Sequence, residues 1–409
     1  MFECDRFTLP NGITVVHKQV SHTKISHCGI MLDVGSRDEK PGQEGIAHFW
    51  EHMAFKGTQK RKSFHIISKL DSVGGELNAY TTKEKICFHA SVTDNHFDKA
   101  VDLLVDITFN SIFPEKELEK EKGVILEEMS MYYDSPDDYL QDDFDSQIFN
   151  NHQLGVNIIG NETSVKSFKR ENFINFINEN LDTSRIVFSS VSSLPFKTVK
   201  KVVEKYFSDI SSVTNQKNRN TFNTYSPQNI VKNRDFTQAY CALGNVAYSL
   251  NNPKRVPFFM LTNILGGPAM NSRLNLELRE KYGFVYSVES SFHPFSDTGL
   301  FAIYFATEKK QANRCFDLVK KQLAKLRNET ISSSQLKMYK EQLKGQLAIA
   351  DERNSGLMLM MARSILDLGR IDSLEELFIQ TDSITSTVLM ELANEVFDEN
   401  QLSTLMIQK

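Results

Sequence analysis

Residues 45–57, GIAHFWEHMAFKG, place two histidines and a glutamate at spacings that suit metal-dependent hydrolysis. On a helix, residues three and four apart share one face, so His48, Glu51 and His52 would lie side by side. Two imidazoles at this spacing can bind one zinc ion, and the glutamate beside them can take a proton from the water that the metal activates. The motif therefore predicts a catalytic zinc site.

The order H-x-x-E-H is the inverse of the commoner H-E-x-x-H zinc motif. The structural alternative is a pair of core histidines whose nitrogens bind backbone groups. Two histidines and a glutamate on one apolar helix face would be costly to bury without a metal, which favours the zinc interpretation. A third ligand must come from elsewhere, and residues 119–133, EKEKGVILEEMSMYY, supply carboxylates on a second predicted helix.

Composition excludes several other kinds of protein. The chain has 409 residues, 47 basic and 52 acidic side chains and a net charge of -5, which is too balanced for a nucleic-acid partner. Its five cysteines are scattered, so neither a disulfide framework nor a cysteine zinc site is indicated. The first residues lack a secretory pattern and no apolar run could span a membrane, so we expect no membrane partner and a cytoplasmic location, although a chain trimmed by processing would look the same.

The chain is long enough for two domains. Residues 211–226 are polar and weakly periodic, and we predict that they link an N-terminal zinc-binding domain, 1–210, to a C-terminal domain, 227–409. Residues 88–129 and 301–347 share one order of a strand, an amphipathic helix and a second charged helix. This repetition predicts an α+β fold made of two related α/β domains, each an antiparallel-rich sheet flanked by helices.

HFWEHMAFKGT, residues 48–58, followed by the glutamates of VILEEM, residues 124–129, resembles the pitrilysin family of zinc peptidases, which includes insulin-degrading enzyme and the mitochondrial processing peptidase. The resemblance implies that Glu128 is the third zinc ligand, with Glu127 as the competitor for that role. It also implies that Glu121 orients a liganding histidine, because residues seven apart share a helix face.

Two further segments resemble parts of the same family. In GGELNAYTTKEKICF, residues 74–88, Asn78 and Ala79 match positions that hold the substrate backbone as an added strand. In residues 266–288, Arg279 and Tyr286 match the pair that binds substrate and stabilises the oxyanion. From the residues alone, Asn78 would be a turn residue, and the Arg/Tyr pair would belong to a helix end and a strand.

The resemblance implies a zinc metalloendopeptidase with one Zn²⁺ per chain that cleaves short or unfolded peptides inside a closed chamber. Family members of twice this length enclose substrate between two bowl-shaped halves, and this chain resembles one half of such a clam-like peptidase. We therefore expect a homodimer, although a heterodimer with a homologous subunit is also open. The alternative function is a non-catalytic or partner-dependent subunit of a heterodimeric peptidase. Peptide turnover and specific processing are equally compatible with the motifs.

Overall fold

Two β-sheets flanked by helices make up the chain, and the computed structural model describes residues 2–409. The strands, numbered along the chain, are β1 (Asp5–Thr8), β2 (Thr14–Gln19), β3 (Ile25–Leu32), β4 (Glu76–Thr81), β5 (Ile86–Thr93), β6 (Ile186–Ser192), β7 (Asn229–Asn233), β8 (Ala239–Ala247), β9 (Val285–Pro294), β10 (Gly299–Thr307) and β11 (Ser403–Gln408).

The α-helices range from 6 to 20 residues in length, and a π-helix spans Asn275–Lys281. The α-helices are α1 (Ile46–Ala54), α2 (Ser63–Asp71), α3 (Phe97–Phe109), α4 (Glu115–Asp134), α5 (Pro136–Ile148), α6 (Glu162–Ser167), α7 (Arg170–Asn180), α8 (Phe196–Phe207), α9 (Arg255–Gly266), α10 (Ala312–Asn328), α11 (Ser333–Asp351), α12 (Asn354–Leu368), α13 (Leu374–Ser383) and α14 (Ser386–Val396).

The chain forms two compact units, and each draws on discontinuous stretches of sequence. Unit 1 comprises the chain up to Ser130 together with Val156–Arg219 and Ile349–Ser373. Unit 2 comprises Met131–Gly155, Asn220–Ala348 and Leu374–Lys409. One boundary between the units falls inside the predicted linker. The continuous domain ranges expected from the sequence stay a prediction.

The sheet of unit 1 has the strand order β1-β2-β6-β3-β5-β4. A turn that contains Asn11 and Gly12 joins β1 to β2, and Gly12 has a φ of 94°, which glycine adopts without strain. Strand β6 pairs parallel with β2, and the other pairings among β3, β4, β5 and β6 are antiparallel. Strand β4 lies at one edge, so one side of its backbone is open to another strand.

The sheet of unit 2 repeats this arrangement. Its order is β7-β11-β8-β10-β9, with β7 and β11 parallel and the remaining pairs antiparallel. Strands β2, β6, β3, β5 and β4 of unit 1 therefore correspond to β7, β11, β8, β10 and β9 of unit 2. The predicted α+β fold with two related halves is confirmed.

Each sheet is covered by one helix from the other half of the sequence. That helix directly follows α4 in the first half and α11 in the second half. Helix α12 belongs to unit 1 and packs on β6 and β3, where Met358 and Met361 are buried. Helix α5 belongs to unit 2 and packs on β8, where Phe144 and Ile148 are buried. Each of these two helices thus covers one face of the sheet whose strands come from the opposite half of the chain.

The predicted linker contains no helix or strand, but side-chain contacts hold its first part in unit 1. The amide of Asn215 donates to the carbonyls of Asn178 and Leu181, at 2.8 and 2.6 Å. Arg219 donates to both carboxylate oxygens of Asp38, at 2.8 and 2.7 Å. Residues 211–219 are therefore an anchored strap along unit 1.

No helix formed by residues 2–409 combines the length and the apolar character needed to cross a membrane. The cytoplasmic location stays a prediction.

Candidate metal centre

Helix α1 carries the histidine motif and divides its side chains between the core and the candidate metal site. Ile46, Phe49, Trp50 and Met53 are buried in the core of unit 1. His48, Glu51 and His52 lie on the remaining face and are partly exposed. The motif thus lies on a helix, as its spacing requires, and the apolar stripe of that helix fixes which way the motif faces.

The start of α1 is held by a close approach of two loops. Gly45 has a φ of 93°, and a β-carbon at this position would lie 2.5 Å from the carbonyl oxygen of Ile159. Only glycine fits such a contact in this conformation. The close contact between the backbones of Gly45 and Ile159 therefore fixes the position at which helix α1 begins.

A buried carboxylate supplies the cap that Gly45 lacks. Oε2 of Glu39 accepts a hydrogen bond from the N–H of Gly45, and Oε1 accepts one from the N–H of Ala47, both at 3.0 Å. Burial raises the pKa of Glu39 well above its ordinary value, against the two backbone hydrogen bonds, which lower it. Glu39 thus satisfies N–H groups that the first turn of a helix leaves without partners.

Helix α4 brings a carboxylate to the two histidines. Nε2 of His48 lies 3.6 Å from Oε1 of Glu128, and Nε2 of His52 lies 3.3 Å from Oε2 of the same residue. One ligand atom from each of the three side chains lies within 4.8 Å of the others. The sequence prediction that these three residues come together agrees with this geometry.

The spacing of these atoms fits zinc. Two ligands at 2.0–2.2 Å from a tetrahedral ion are separated by roughly 3.3 Å. The separations of 3.6 Å from His48 to Oε1 of Glu128 and of 3.3 Å from His52 to Oε2 are close to that value, and one ligand atom from each side chain lies within 4.8 Å of the other two. Two imidazole nitrogens with one carboxylate are also a donor set that catalytic zinc sites use. The residues present therefore suit this ion.

His52 is oriented by a second carboxylate on α4. Its Nδ1 lies 2.9 Å from Oε1 of Glu121, whose other oxygen binds the amine of Lys56 at 2.6 Å. Burial acts to lower the pKa of His52, but hydrogen bonds to Glu121 and Glu128 outweigh it and raise the pKa to about 9. The two carboxylates therefore stabilise positive charge at this side chain.

His48 lies in a different environment. Burial, with a smaller contribution from the charge of His52, lowers the pKa of His48 to about 4. The neutral ring offers a lone pair for a metal at neutral pH. Its Nδ1 is buried and has no hydrogen-bond partner within residues 2–409. The two candidate ligands of α1 therefore differ in how firmly their rings are oriented.

Glu51 is close to the candidate ligands and is bound by a residue of the edge strand. The hydroxyl of Thr81 donates to Oε2 of Glu51 at 2.6 Å. Burial raises the pKa of Glu51, and the hydrogen bond from Thr81 counteracts part of that effect. A carboxylate with a raised pKa beside a metal site is suited to accept and return a proton.

Asn78 and Ala79 lie on β4, the edge strand that supplies Thr81. Side chains alternate along a strand, so Ala79 packs toward the core and Asn78 points to the opposite, exposed face. Strand β4 pairs with β5 on one side only, so the backbone of both residues lies at an open edge. Asn78 is thus a strand residue and not the turn residue that its type alone favours.

Arg279 and Tyr286 lie in unit 2. Arg279 is on the π-helix, and its guanidinium carbon is 5.7 Å from the centre of the Tyr286 ring. The side chain of Tyr286, at the start of β9, is 87% exposed. The structure places the two residues together, in a unit other than the one that holds the histidines.

Comparison with known sequences identifies the family. Residues 14–162 match the family described as insulinase (peptidase family M16), and residues 167–343 match the peptidase M16 inactive domain. The chain is 32% identical over 403 residues to the uncharacterized zinc protease YmxG of Bacillus subtilis strain 168, which covers 98% of this chain and 97% of that protein. The chain belongs to peptidase family M16. The family that the histidine motif indicated is confirmed.

Solved structures show the same M16 fold. A protease from Helicobacter pylori superposes with a TM-score of 0.90 at 21% identity, covering 100% of this chain and 99% of that one. A peptidase M16 inactive domain from Pseudomonas fluorescens superposes with a TM-score of 0.92 at 15% identity, covering 100% and 98%. These likenesses establish the fold, and the zinc-protease names of the M16 relatives imply the metal.

Three residues at this M16 site were not found from the sequence. Thr81 binds Glu51, Lys56 binds Glu121, and Glu39 caps α1. Lys56 is four residues after His52, so helical spacing could have indicated it. Thr81 and Glu39 reach the site through the fold of the sheet and a loop, and no local spacing marks them.

Proposed function

We propose that the chain is a zinc metalloendopeptidase that binds one Zn²⁺ through His48, His52 and Glu128. The observation that carries the proposal is the convergence of these three side chains, with the carboxylate of Glu51 beside them. The zinc-protease names of full-length M16 relatives support it.

In this proposal, the two glutamates beside the metal ligands have different roles in catalysis. Zinc, when bound, supplies Lewis-acid chemistry to the scissile carbonyl and the attacking water. Glu51 takes a proton from that water at Oε1, since Oε2 is bound by Thr81, and later gives it to the nitrogen of the leaving amine. Glu121 keeps the ring of His52 in the orientation that directs Nε2 toward the metal site.

Substrate binding is assigned to main-chain and charged groups. A peptide adds as a strand along β4, where the backbone of Asn78 and Ala79 is open to pairing. Such pairing recognises the main chain of an extended peptide, so the substrate must be short or unfolded. Arg279 and Tyr286 bind the substrate backbone and stabilise the negative charge that develops on the carbonyl oxygen.

We also propose that the active form is a homodimer that encloses its substrate. The metal residues and the Arg/Tyr pair occur together in one chain, so two copies contain every group that the reaction needs. A heterodimer with a homologous subunit is the alternative assembly.

The rival function is a non-catalytic or partner-dependent subunit. The match of residues 167–343 to a family described as the peptidase M16 inactive domain is the observation that favours this rival. In this chain the candidate ligands lie in the segment that matches the insulinase description, residues 14–162. An intact ligand set and an intact Arg/Tyr pair favour the enzyme.

Metal analysis combined with a peptide-library digest tests the proposal. We expect one zinc per chain, cleavage of unfolded peptides but not of folded proteins, and loss of cleavage when a chelator removes the metal. Glu51→Gln should keep zinc and lose activity by about 10³-fold or more, since it removes the general base. His48→Ala should lose both zinc and activity. Full activity in Glu51→Gln would contradict the mechanism, and a zinc-loaded wild type that cleaves nothing by itself would favour the rival function.

A further inference from the structure

Thr81 is the last residue of the edge strand β4, and its side chain points toward helix α1. Leu77 and Ala79, four and two residues earlier on the same face, pack against the core that α1 completes. The hydroxyl of Thr81 continues this face and lies 2.6 Å from Oε2 of Glu51. The strand assigned to substrate and the assigned general base are therefore joined by one hydrogen bond.

The backbone of Thr81 is held by its pairing with β5 and by the turn that follows it. Its Cα pairs with that of Ile86 in the antiparallel register of β4 and β5. The next residue, Thr82, closes the turn through its backbone, because its N–H donates to the carbonyl of Lys85 at 2.8 Å. The backbone position from which the Thr81 side chain extends is therefore fixed.

A hydroxyl at this distance restricts what the carboxylate of Glu51 can do. O–H···O⁻ hydrogen bonds of 2.5–2.7 Å are short and charge-assisted. The bond occupies Oε2 and fixes the rotation of the carboxylate, which leaves Oε1 to handle the proton. The β-branched side chain of threonine is itself restricted at χ1, so the donor has little freedom to turn away.

We propose that Thr81 is a positioning residue, which holds the carboxylate of Glu51 in the orientation needed for proton transfer and ties that orientation to the strand that binds substrate. The inference rests on the proposed function of Glu51 as general base. The hydroxyl of Thr81 binds Glu51, which is not one of the three candidate ligands, so the metal affinity should be independent of it.

The kinetic test compares Thr81→Val, which keeps the shape but removes the donor, with Thr81→Ser, which keeps the donor. Thr82→Val is the matched control, because the hydroxyl of Thr82 binds the backbone of Lys85 in the same hairpin. We expect Thr81→Val to bind zinc as the wild type does, to keep KM within about twofold and to lose kcat by roughly 10- to 100-fold, part of what a general base contributes. Thr81→Ser should recover kcat to within about threefold of the wild type, and Thr82→Val should lower the melting temperature and leave kcat unchanged.

Equal kcat in Thr81→Val and the wild type, or no recovery in Thr81→Ser, would overturn the proposal. So would a loss confined to KM or to zinc content. Crystal structures of the zinc-loaded wild type and Thr81→Val give a readout that does not depend on activity. We expect a single Glu51 rotamer in the wild type and several in the variant, and one unchanged rotamer would refute the positioning role. A wild type that fails to cleave peptides would refute the proposed function, while the crystallographic comparison would still decide the role of Thr81.

Discussion

His52 is held by groups on both sides of its ring. Nδ1 is bound to Glu121, whose carboxylate can only accept, so a proton lies on this nitrogen and Nε2 is the ring atom that faces Glu128. Lys56 binds the second oxygen of Glu121, which prevents the carboxylate from turning away. One lysine just beyond α1 therefore contributes to the orientation of a candidate ligand on that helix.

The two adjacent glutamates of α4 give a matched pair for testing the third ligand. Glu128 faces both histidines, whereas Glu127 is exposed and is not part of the cluster. We expect Glu128→Gln to weaken zinc binding by about 100-fold or more. Removing a residue that only hydrogen-bonds to a metal ligand already weakens binding by about 10- to 100-fold, and Glu128 is a candidate ligand itself. Glu127→Gln should bind zinc as the wild type does. Competition with a chromogenic chelator measures both affinities, and the reverse order would make Glu127 the ligand.

At the residue scale, the sequence predicted the groups that are close together along a helix. His48, Glu51 and His52 share a face because of their spacing, and the seven-residue interval does the same for Glu121 and Glu128. The hydrogen bond from Thr81 to Glu51 could not be predicted in this way. It joins residues thirty positions apart, and it depends on the register of β4 beside α1.

Helix α1 depends at its first turn on a side chain outside the helix. Glu39 is 3% exposed and binds two backbone N–H groups, one on each carboxylate oxygen. The apolar periodicity predicts where α1 lies, but helix-start signals are sought in the residue just before the helix, and that residue is Gly45. Local sequence rules therefore do not detect this cap.

Removing this cap should affect both stability and metal binding. Glu39→Ala leaves two N–H groups of a buried helix start without partners, so we expect the metal-free protein to lose about 2 kcal/mol of unfolding free energy, the order of a lost cap or an unsatisfied buried group. The resulting shift of α1 should also weaken zinc binding by about 10-fold. Urea unfolding of the metal-free protein and chelator competition measure the two effects.

Glu44→Ala is the control for this prediction. Glu44 lies in the same loop, is less buried than Glu39, and its side chain binds one backbone N–H, that of Gly42, at 2.8 Å. We expect a change of unfolding free energy within about 0.5 kcal/mol, as for surface positions. Equal destabilisation by both variants would mean that general loop disruption, and not capping of α1, explains the effect of Glu39.

At the scale of the whole molecule, the repeat detected in the sequence corresponds to two sheets with one strand order. The repeated strand–helix–helix segments contain β5, α3 and α4 in one half and β10, α10 and α11 in the other. The next helix along the chain, α5 or α12, covers the sheet of the opposite half. Periodicity shows that such a helix is amphipathic but not which sheet it covers, so the exchange could not be predicted.

This organisation separates the two groups of proposed catalytic residues, since His48, Glu51 and His52 belong to unit 1 and Arg279 and Tyr286 belong to unit 2. We predict that in a homodimer the Arg/Tyr pair of one subunit serves the metal site of the other. A preparation that mixes Glu51→Gln subunits with Arg279→Ala subunits tests this, because a heterodimer of the two then contains one site with neither change.

Each variant alone should be nearly inactive, and the mixed dimer should recover roughly half of the wild-type kcat per dimer, as one of two sites is intact. Dimers must be formed by unfolding and refolding the subunits together, or by coexpression with two affinity tags, so that the heterodimer can be isolated. Native mass spectrometry verifies its composition and separates a homodimer from a monomer in the wild type. If catalysis is completed within one chain, both subunits of the mixed dimer carry a defect in their own site and no activity returns, which would place Arg279 and Glu51 of the same chain in one active site.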